Sequence, residues 1–335
     1  MKGILLTRDQ ISQNKNKHFH LNQMHQRRVN DMKIISLLKN ILAKFAVKAN
    51  LHGQTRSFSK TALSAKPSYP EGYEVPQVWK YDEKTMKPIH GSNIPTSGPQ
   101  TQKELPRGSH EIQLYGMATP NGMKASIMLE ELNDLKNVEY DAWKINIGNG
   151  DQFTSGFVQV NPNSKIPAIY DQSNGARVFE SGAILIYLAE KYGAFLPSDP
   201  VERAECLSWV FFQVGAGPYY GGGGLAHFNG RAPMNWEYAI DRYTIETKRV
   251  LDILNKQLEG KDYICGGDGP TIADFMHWGW TKRLVEQEYL DGQSYENIVE
   301  WVDRINRRPA VQRGLRVLGW SDDALNERHS KADFK

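Results

Sequence analysis

Polar and apolar residues alternate along Glu111-Ile112-Gln113-Leu114-Tyr115-Gly116, the period-two pattern of a strand. A turn-forming run, Ala118-Thr119-Pro120-Asn121-Gly122, follows it. Met123 to Leu132 then reads as a helix, with Ile127, Leu129 and Leu132 on or near its buried side. Tyr140 to Lys144 predicts a second strand. Further on, Val160-Asn161-Pro162-Asn163-Ser164-Lys165 is a polar, turn-rich loop that passes through Ile166-Pro167 into the short apolar strand Ala168-Ile169-Tyr170. Arg177-Val178-Phe179 is another strand, stopping at Glu180-Ser181. Ser181 stands where a helix N-cap belongs, ahead of Ile184, Tyr187 and Leu188 at helical spacing. Strand, helix, strand, helix, strand, strand, helix predicts an α/β domain over 111–196. Phe195-Leu196-Pro197-Ser198-Asp199-Pro200 closes it with two prolines, and 200–335 is patterned as helix. Tyr243, Thr247, Val250, Leu251, Leu254 and Leu258 predict one long helix over about 235–258. Thr271 with Asp274 three residues on is a capping-box variant that starts a buried helix through Phe275 and Trp278, a structural role that needs no ligand.

Residues 1–70 have a different makeup. Between Met32 and Pro70 there is no Asp or Glu, while Lys33, Lys39, Lys44, Lys48, Arg56, Lys60 and Lys66 are basic. Ile34, Leu38, Ile41 and Phe45 keep helical spacing, and the Ser-containing run Arg56 to Thr61 follows. An acid-free, Arg- and Ser-containing amphipathic stretch has the makeup of a mitochondrial targeting segment. A basic disordered tail, or upstream sequence from a misplaced start with Met32 as the true one, has the same makeup, so mitochondrion and cytoplasm both stay open. The Pro- and Gly-rich stretch over 71–110, with Pro76, Pro88, Pro95, Pro99 and Pro106, predicts an extended or irregular arm.

The formal net charge of +3 and the 24% charged fraction give no argument for nucleic acid as a partner. No run is apolar and long enough to span a bilayer. Cys206 and Cys265 are too few for a disulfide framework and form no CxxC motif, which fits a reducing compartment. Gly221 to Gly224 is no phosphate loop, since no Gly-Lys-Ser/Thr follows it. Its small residues fit a helix end brought close to a ligand cleft, with Tyr219 and His227 as candidate wall residues. His227 has no further His or Cys at ligand spacing, so no metal site is expected.

The predicted order of the first domain is of thioredoxin type, a fold that carries its thiol chemistry in the turn after the first strand. Here that turn offers Thr119 and Asn121 and no cysteine, and both cysteines lie in the helical half. A reactive sulfur therefore has to arrive on a bound thiol. Hydroxyl and amide donors at a helix N-terminus stabilise the attacking thiolate. Thr-Pro-Asn-Gly is equally a good turn and helix-start sequence whatever it binds.

Asn161 to Ala168, two strands and Glu180-Ser181 at a helix start together resemble the glutathione-binding half of the glutathione transferases. With Thr119 to Gly122 and Gly148 to Phe157 added, the chain is similar to their nu class, and to the members described as glutathione-dependent disulfide-bond reductases. The resemblance runs from about Val78 to the C-terminus. It implies an α/β thioredoxin-like N-terminal domain followed by an all-α glutathione-transferase C-terminal domain. It implies that Thr119 and Asn121 contact the thiol. Gln152, Lys165, the backbone of Ile166, Glu180 and Ser181 hold the rest of glutathione, and Asn93 joins them from the arm. Gln213 and Arg242 match positions that serve a second glutathione. In that family the bond before the proline at 167 is cis, which turns the preceding N–H and C=O outward to pair with a peptide. At Glu180-Ser181, free N–H groups and the positive end of the helix dipole attract a carboxylate, while the acidic side chain takes an ammonium. Outside the resemblance, Lys165 reads as a solvated surface lysine and Arg242 as half of an ordinary helix-surface ion pair.

The resemblance further implies glutathione as co-substrate, up to two per site and without metal, acting on small-molecule thiols and disulfides in a homodimer. The expected activity is thiol–disulfide oxidoreduction through the bound thiol. Transferase or peroxidase action on electrophiles or hydroperoxides is the alternative on the same thiolate. A non-catalytic binding protein is the alternative from another class, because fold does not fix function.

Overall fold

The computed structural model describes residues 72–91, 94–234 and 236–335; the basic segment 1–70 and the candidate Asn93 fall outside them. Residues 72–78 are exposed and without helix or strand. From Trp79 onward the chain is one compact unit.

The arm contains one helix, α1 (Glu83–His90), where irregular chain is expected. Its cause is local: Asp82 accepts from the Lys84 N–H as N-cap, and Glu83 pairs with Lys87 one turn on. The rest of the arm bridges Thr101 to Thr154, and the Pro106 carbonyl accepts from the Tyr115 hydroxyl.

The α/β half runs β1 (Ile112–Gly116), α2 (Gly122–Lys136), β2 (Tyr140–Lys144), α3 (Ser155–Val160), β3 (Ala168–Asp171), β4 (Ala176–Phe179) and α4 (Ser181–Tyr192). This is the predicted order. The helical half follows as α5 (Pro200–Tyr220), the short α6 (Leu225–Phe228), α7 (Glu237–Gln257), α8 (Ile272–Val285), α9 (Glu296–Asn306) and α10 (Pro309–Arg316). The capping box at Thr271 and Asp274 is formed, and Asp274 also accepts from Ile264 and Trp301 in the core.

The sheet is mixed, in order β4-β3-β1-β2-β5, with β1 and β2 parallel and the other pairs antiparallel. Its last member, β5 (Glu327–Arg328), is two residues long and comes from the C-terminal segment. Alternation along β1 sorts its side chains: Ile112 and Leu114 join the main core with Ile127, Leu129, Ile184, Trp278 and Trp301. Tyr115 turns to the opposite face with Ile145 and Phe157.

The central helix is α2, packed against α4, α8 and α10. Because it is enclosed on that side, Glu130 and Glu131 are buried too, and both are paired. Glu131 meets Arg308, and Glu130 meets Arg313, Arg328 and the Tyr140 hydroxyl. Two glycines allow close approaches around α2. A β-carbon at Gly314 would stand 2.8 Å from the Ile127 Cα, and one at Gly279 would stand 2.9 Å from the Pro120 carbonyl oxygen. The second contact seats α8 directly on the turn between β1 and α2.

Candidate active site

The turn at 117–122 is tied by its own backbone. Thr119 N–H donates to Met117 O at 2.6 Å, and Met123 N–H to Thr119 O at 2.9 Å. Gly122 is needed here, because a β-carbon would lie 1.9 Å from the Met117 carbonyl oxygen. The Thr119 hydroxyl oxygen accepts from Gly122 N–H at 3.1 Å. A hydroxyl has one hydrogen to give, and with its oxygen already engaged that hydrogen is free to point to an acceptor. The C-terminal segment flanks the turn: Ala118 N–H donates to Leu318 O, and the Trp320 indole to Ala118 O.

Asn121 is held more firmly. Its Oδ1 accepts from Lys124 Nζ at 2.9 Å and from the Trp280 indole at 2.9 Å. An ammonium and an indole N–H are donors only, so the atom between them is the carbonyl oxygen and the amide nitrogen faces the other way. Both Thr119 and Asn121 are half-buried in the wall of a cavity of about 1450 Å³. That exceeds the ~300–1,000 Å³ of an ordinary small-ligand pocket, so there is room for more than one peptide-sized molecule.

Gln152, Lys165, Ile166, Glu180, Ser181 and Gln213 line the same cavity. The Ile166–Pro167 bond is cis, as the resemblance implies. Asn161 donates to Lys165 O at 2.6 Å and fixes the loop that carries it. Gln152 is buried, and its Oε1 has no hydrogen-bond partner among the described residues.

One local expectation is corrected. Glu180, not Ser181, is the N-cap of α4, and Ser181 is its first residue. Glu180 has φ 68° and ψ 120°, a left-handed backbone that costs a non-glycine residue about 1–3 kcal/mol. No side chain caps this helix end, so its first N–H groups stay open to an anion.

Gln213 reaches the cavity wall but is only 2% exposed. Its Oε1 accepts from Lys124 at 2.8 Å and its Nε2 donates to the Tyr220 hydroxyl at 2.9 Å, which leaves one amide hydrogen. Arg242 does not line the cavity; it is exposed on α7 near Glu246. Tyr219 and His227 are also off the wall; Tyr219 lies tilted against Tyr243 and His227 edge-on to Phe228. Gly221 to Gly223 do line it, and Gly221 lies against the Trp280 ring.

Lys124 is the residue that sequence reasoning misses. It lies in the first turn of α2 and is 1% exposed, yet its ammonium has three partners: Asn121, Gln213 and, at 3.4 Å, Ser181 Oγ. Burial pulls its pKa down to about 7, with the Glu180 carboxylate opposing the fall. One sequence signal could have found it, since a basic side chain in the first turn works against the helix dipole. Arg231, Trp280, Arg283 and Trp320 line the outer cavity and were likewise not anticipated. Cys206 and Cys265 do not line it. They sit beside each other in the helical half, where Thr271 Oγ1 donates to Cys265 Sγ at 3.6 Å. Among the described residues no group of three or more His, Cys, Asp or Glu could hold a metal ion.

A thioredoxin-like half with a donor-lined, cysteine-free turn, braced by an all-α half, defines the class: the chain belongs to the glutathione S-transferase family. Residues 110–190 match the glutathione S-transferase N-terminal domain and residues 237–309 the C-terminal domain. It is 48% identical over 276 residues to the disulfide-bond oxidoreductase YghU of Escherichia coli, covering 78% of this chain and 95% of that one. It is 43% identical over 210 residues to the disulfide-bond oxidoreductase YfcG of the same organism, covering 61% and 94%. Among solved structures, the glutathione transferase YghU from Streptococcus pneumoniae, complexed with glutathione, superimposes with a TM-score of 0.70 at 50% identity, covering 74% of this chain and 98% of that one. A glutathione transferase from Pseudomonas putida, with one glutathione disulfide bound per subunit, gives 0.59 at 36% identity, covering 64% and 94%.

Proposed function

We propose that this protein is a glutathione-dependent thiol–disulfide oxidoreductase that uses the sulfur of bound glutathione in place of a protein cysteine. The observation that carries the reading is the turn itself. Where a thioredoxin-like fold keeps its thiol, Thr119 and Asn121 stand with their oxygens already engaged and their donors left for the cavity. The relatives named as disulfide-bond oxidoreductases, and the solved neighbours with glutathione or its disulfide bound, support the same reading.

In this reading the open N-terminus of α4 and Glu180 take the carboxylate and ammonium at one end of the tripeptide. The Ile166 backbone and the orphan Oε1 of Gln152 pair with its peptide groups, and Lys165 with its other carboxylate. Thr119 and Asn121 donate to the sulfur and favour its thiolate. That thiolate attacks a disulfide, forms a mixed disulfide and expels the second sulfur as a thiolate, which takes a proton from solvent. A second glutathione thiolate then attacks the mixed disulfide, giving glutathione disulfide and the other free thiol. Two glutathione molecules are oxidised and one disulfide is reduced, with no protein sulfur in the sequence. Gln213 and Arg231 are the wall residues placed to meet the second glutathione.

A division at 196–200 into a glutathione-binding and a substrate half, and assembly as a homodimer, belong to the same proposal. Mitochondrial import by residues 1–70 is a separate one, resting on their acid-free composition over 32–70. A fluorescent fusion of that segment that stays in the cytoplasm would leave it a basic extension only.

The full chain should bind glutathione and melt at higher temperature with it, as any native-state ligand requires. It should turn over hydroxyethyl disulfide briskly and an activated aryl halide slowly. The reverse ranking would make it a transferase, and binding without either turnover would make it a non-catalytic member.

A further inference from the structure

We propose that Lys124 is a positioning residue for the thiol site, whose buried ammonium clamps the Asn121 oxygen against the Trp280 indole so that Asn121 can present only its amide N–H to the cavity. This rests on the functional reading above and names a group which that reading does not use.

The geometry is specific. A free asparagine amide can face a ligand with either end, and the two choices have opposite effects on a thiolate: N–H attracts it and C=O repels it. Here two donors that cannot accept converge on one oxygen, Lys124 from α2 and Trp280 from α8, the second 159 residues from Asn121 in sequence. The choice is therefore made before any ligand arrives. The same ammonium reaches Ser181 at the start of α4 and Gln213 on α5. The turn, α4 and α5 are thus tied to one buried cation, and the cation itself stands in the cavity wall beside the two donors.

Such a group is not there for packing. A lysine buried to 1% exposure gives up the hydration of its charge, and an apolar side chain would fill the space without that loss. The ionisable groups that face it are Glu180 from the α4 N-cap and His277 from α8. Burial holds the imidazole of His277 down to about 4, so it adds no second charge near neutrality. Lys124 and Glu180 are then the pair that sets the local field.

The test is Lys124→Met in the full chain, read in two ways. Without ligand, the indole N–H resonance of Trp280, assigned as the signal lost in Trp280→Phe, should shift and exchange faster with water, because Asn121 is released. With glutathione, the ultraviolet titration of bound thiol should move up by about one pH unit or more, and kcat should fall at least ~10-fold with KM changed much less. Lys124→Arg, which keeps a cation, should recover part of the thiol shift. Should Lys124→Met fail to fold, Lys124→Gln carries the same two readouts. An indole signal and a thiol titration both at their wild-type positions would overturn the proposal. If the wild type binds no glutathione, the functional reading falls, and the indole resonance alone still decides whether Lys124 orders the turn.

Discussion

Single residues decide the chemistry here. In the proposed reaction Thr119 and Asn121 each give one donor to a sulfur, and losing a hydrogen bond to a charged acceptor costs about 1.5–3 kcal/mol. Thr119→Ala and Asn121→Ala should each raise the apparent pKa of bound thiol and slow disulfide turnover about ten- to a hundredfold. Glutathione affinity should change less, because Gln152, Lys165 and the α4 terminus hold the remainder. The double variant should lose less than the sum, as both donors serve one atom. A pH–rate profile with an unchanged acidic limb in both single variants would make these residues turn formers only. The turn that carries both was legible in the sequence, because Thr-Pro-Asn-Gly announces it and Gly122 is three residues from Thr119. Lys124 was not, because Ser181 and Gln213 lie 57 and 89 residues away. Arg242, which the resemblance alone assigned to a second glutathione, stands off the cavity wall, and the wall takes Arg231 from the loop before α7.

Elements with a strong period were legible nearly to the residue. Tyr140–Lys144 is the strand its alternation predicts, and the long helix of the second half lies within one or two residues of its expected ends. Ser181 slipped from N-cap to first helical residue because the positive φ of Glu180, which no composition signal carries, turns the chain one residue earlier. β5 could not be read at all. Two residues, Glu327 and Arg328, have no period, and their strand exists because of what Arg328 meets. That side chain is fully buried over the Tyr140 ring at 3.9 Å, donates to Glu130 and the Tyr140 carbonyl, and pairs with Glu139 at 2.6 Å. Arg328→Met should take the arginine partner from Glu139 and one of two from Glu130, which keeps Arg313 and the Tyr140 hydroxyl. The expected loss is about 3 kcal/mol, read as a lower denaturant midpoint at unchanged slope. A midpoint within error of wild type would mean the C-terminal segment is held by its other contacts. Because the Leu318 carbonyl and the Trp320 indole of that segment bond Ala118, turnover should fall with it.

For the molecule as a whole, chemistry and cysteines are kept apart. Cys206 and Cys265 are in the helical half and off the cavity wall, so replacing both by Ser should leave the specific activity of the folded protein close to wild type. The Cys206 change puts a hydroxyl in the core and should lower stability by about 1–3 kcal/mol, so activity is best compared per folded molecule. Abolished turnover in a folded double variant would place the chemistry on a protein thiol after all. The mitochondrial expectation concerns residues outside those described, and among the described residues no helix is long and apolar enough to cross a membrane.

The seat of Gly279 on Pro120 has a consequence for biosynthesis. The turn that holds Thr119 and Asn121 leaves the ribosome long before its brace does, since Trp280 follows Asn121 by 159 residues. A nascent chain that ends after the α/β half carries four of the five strands, but it has neither the indole that orients Asn121 nor the helix that backs Pro120. Gln213 and α8 must be made before the frame around Lys124 can close. The site is thus translated early and finished late, and a partly made chain has no competent place to hold a reactive thiolate.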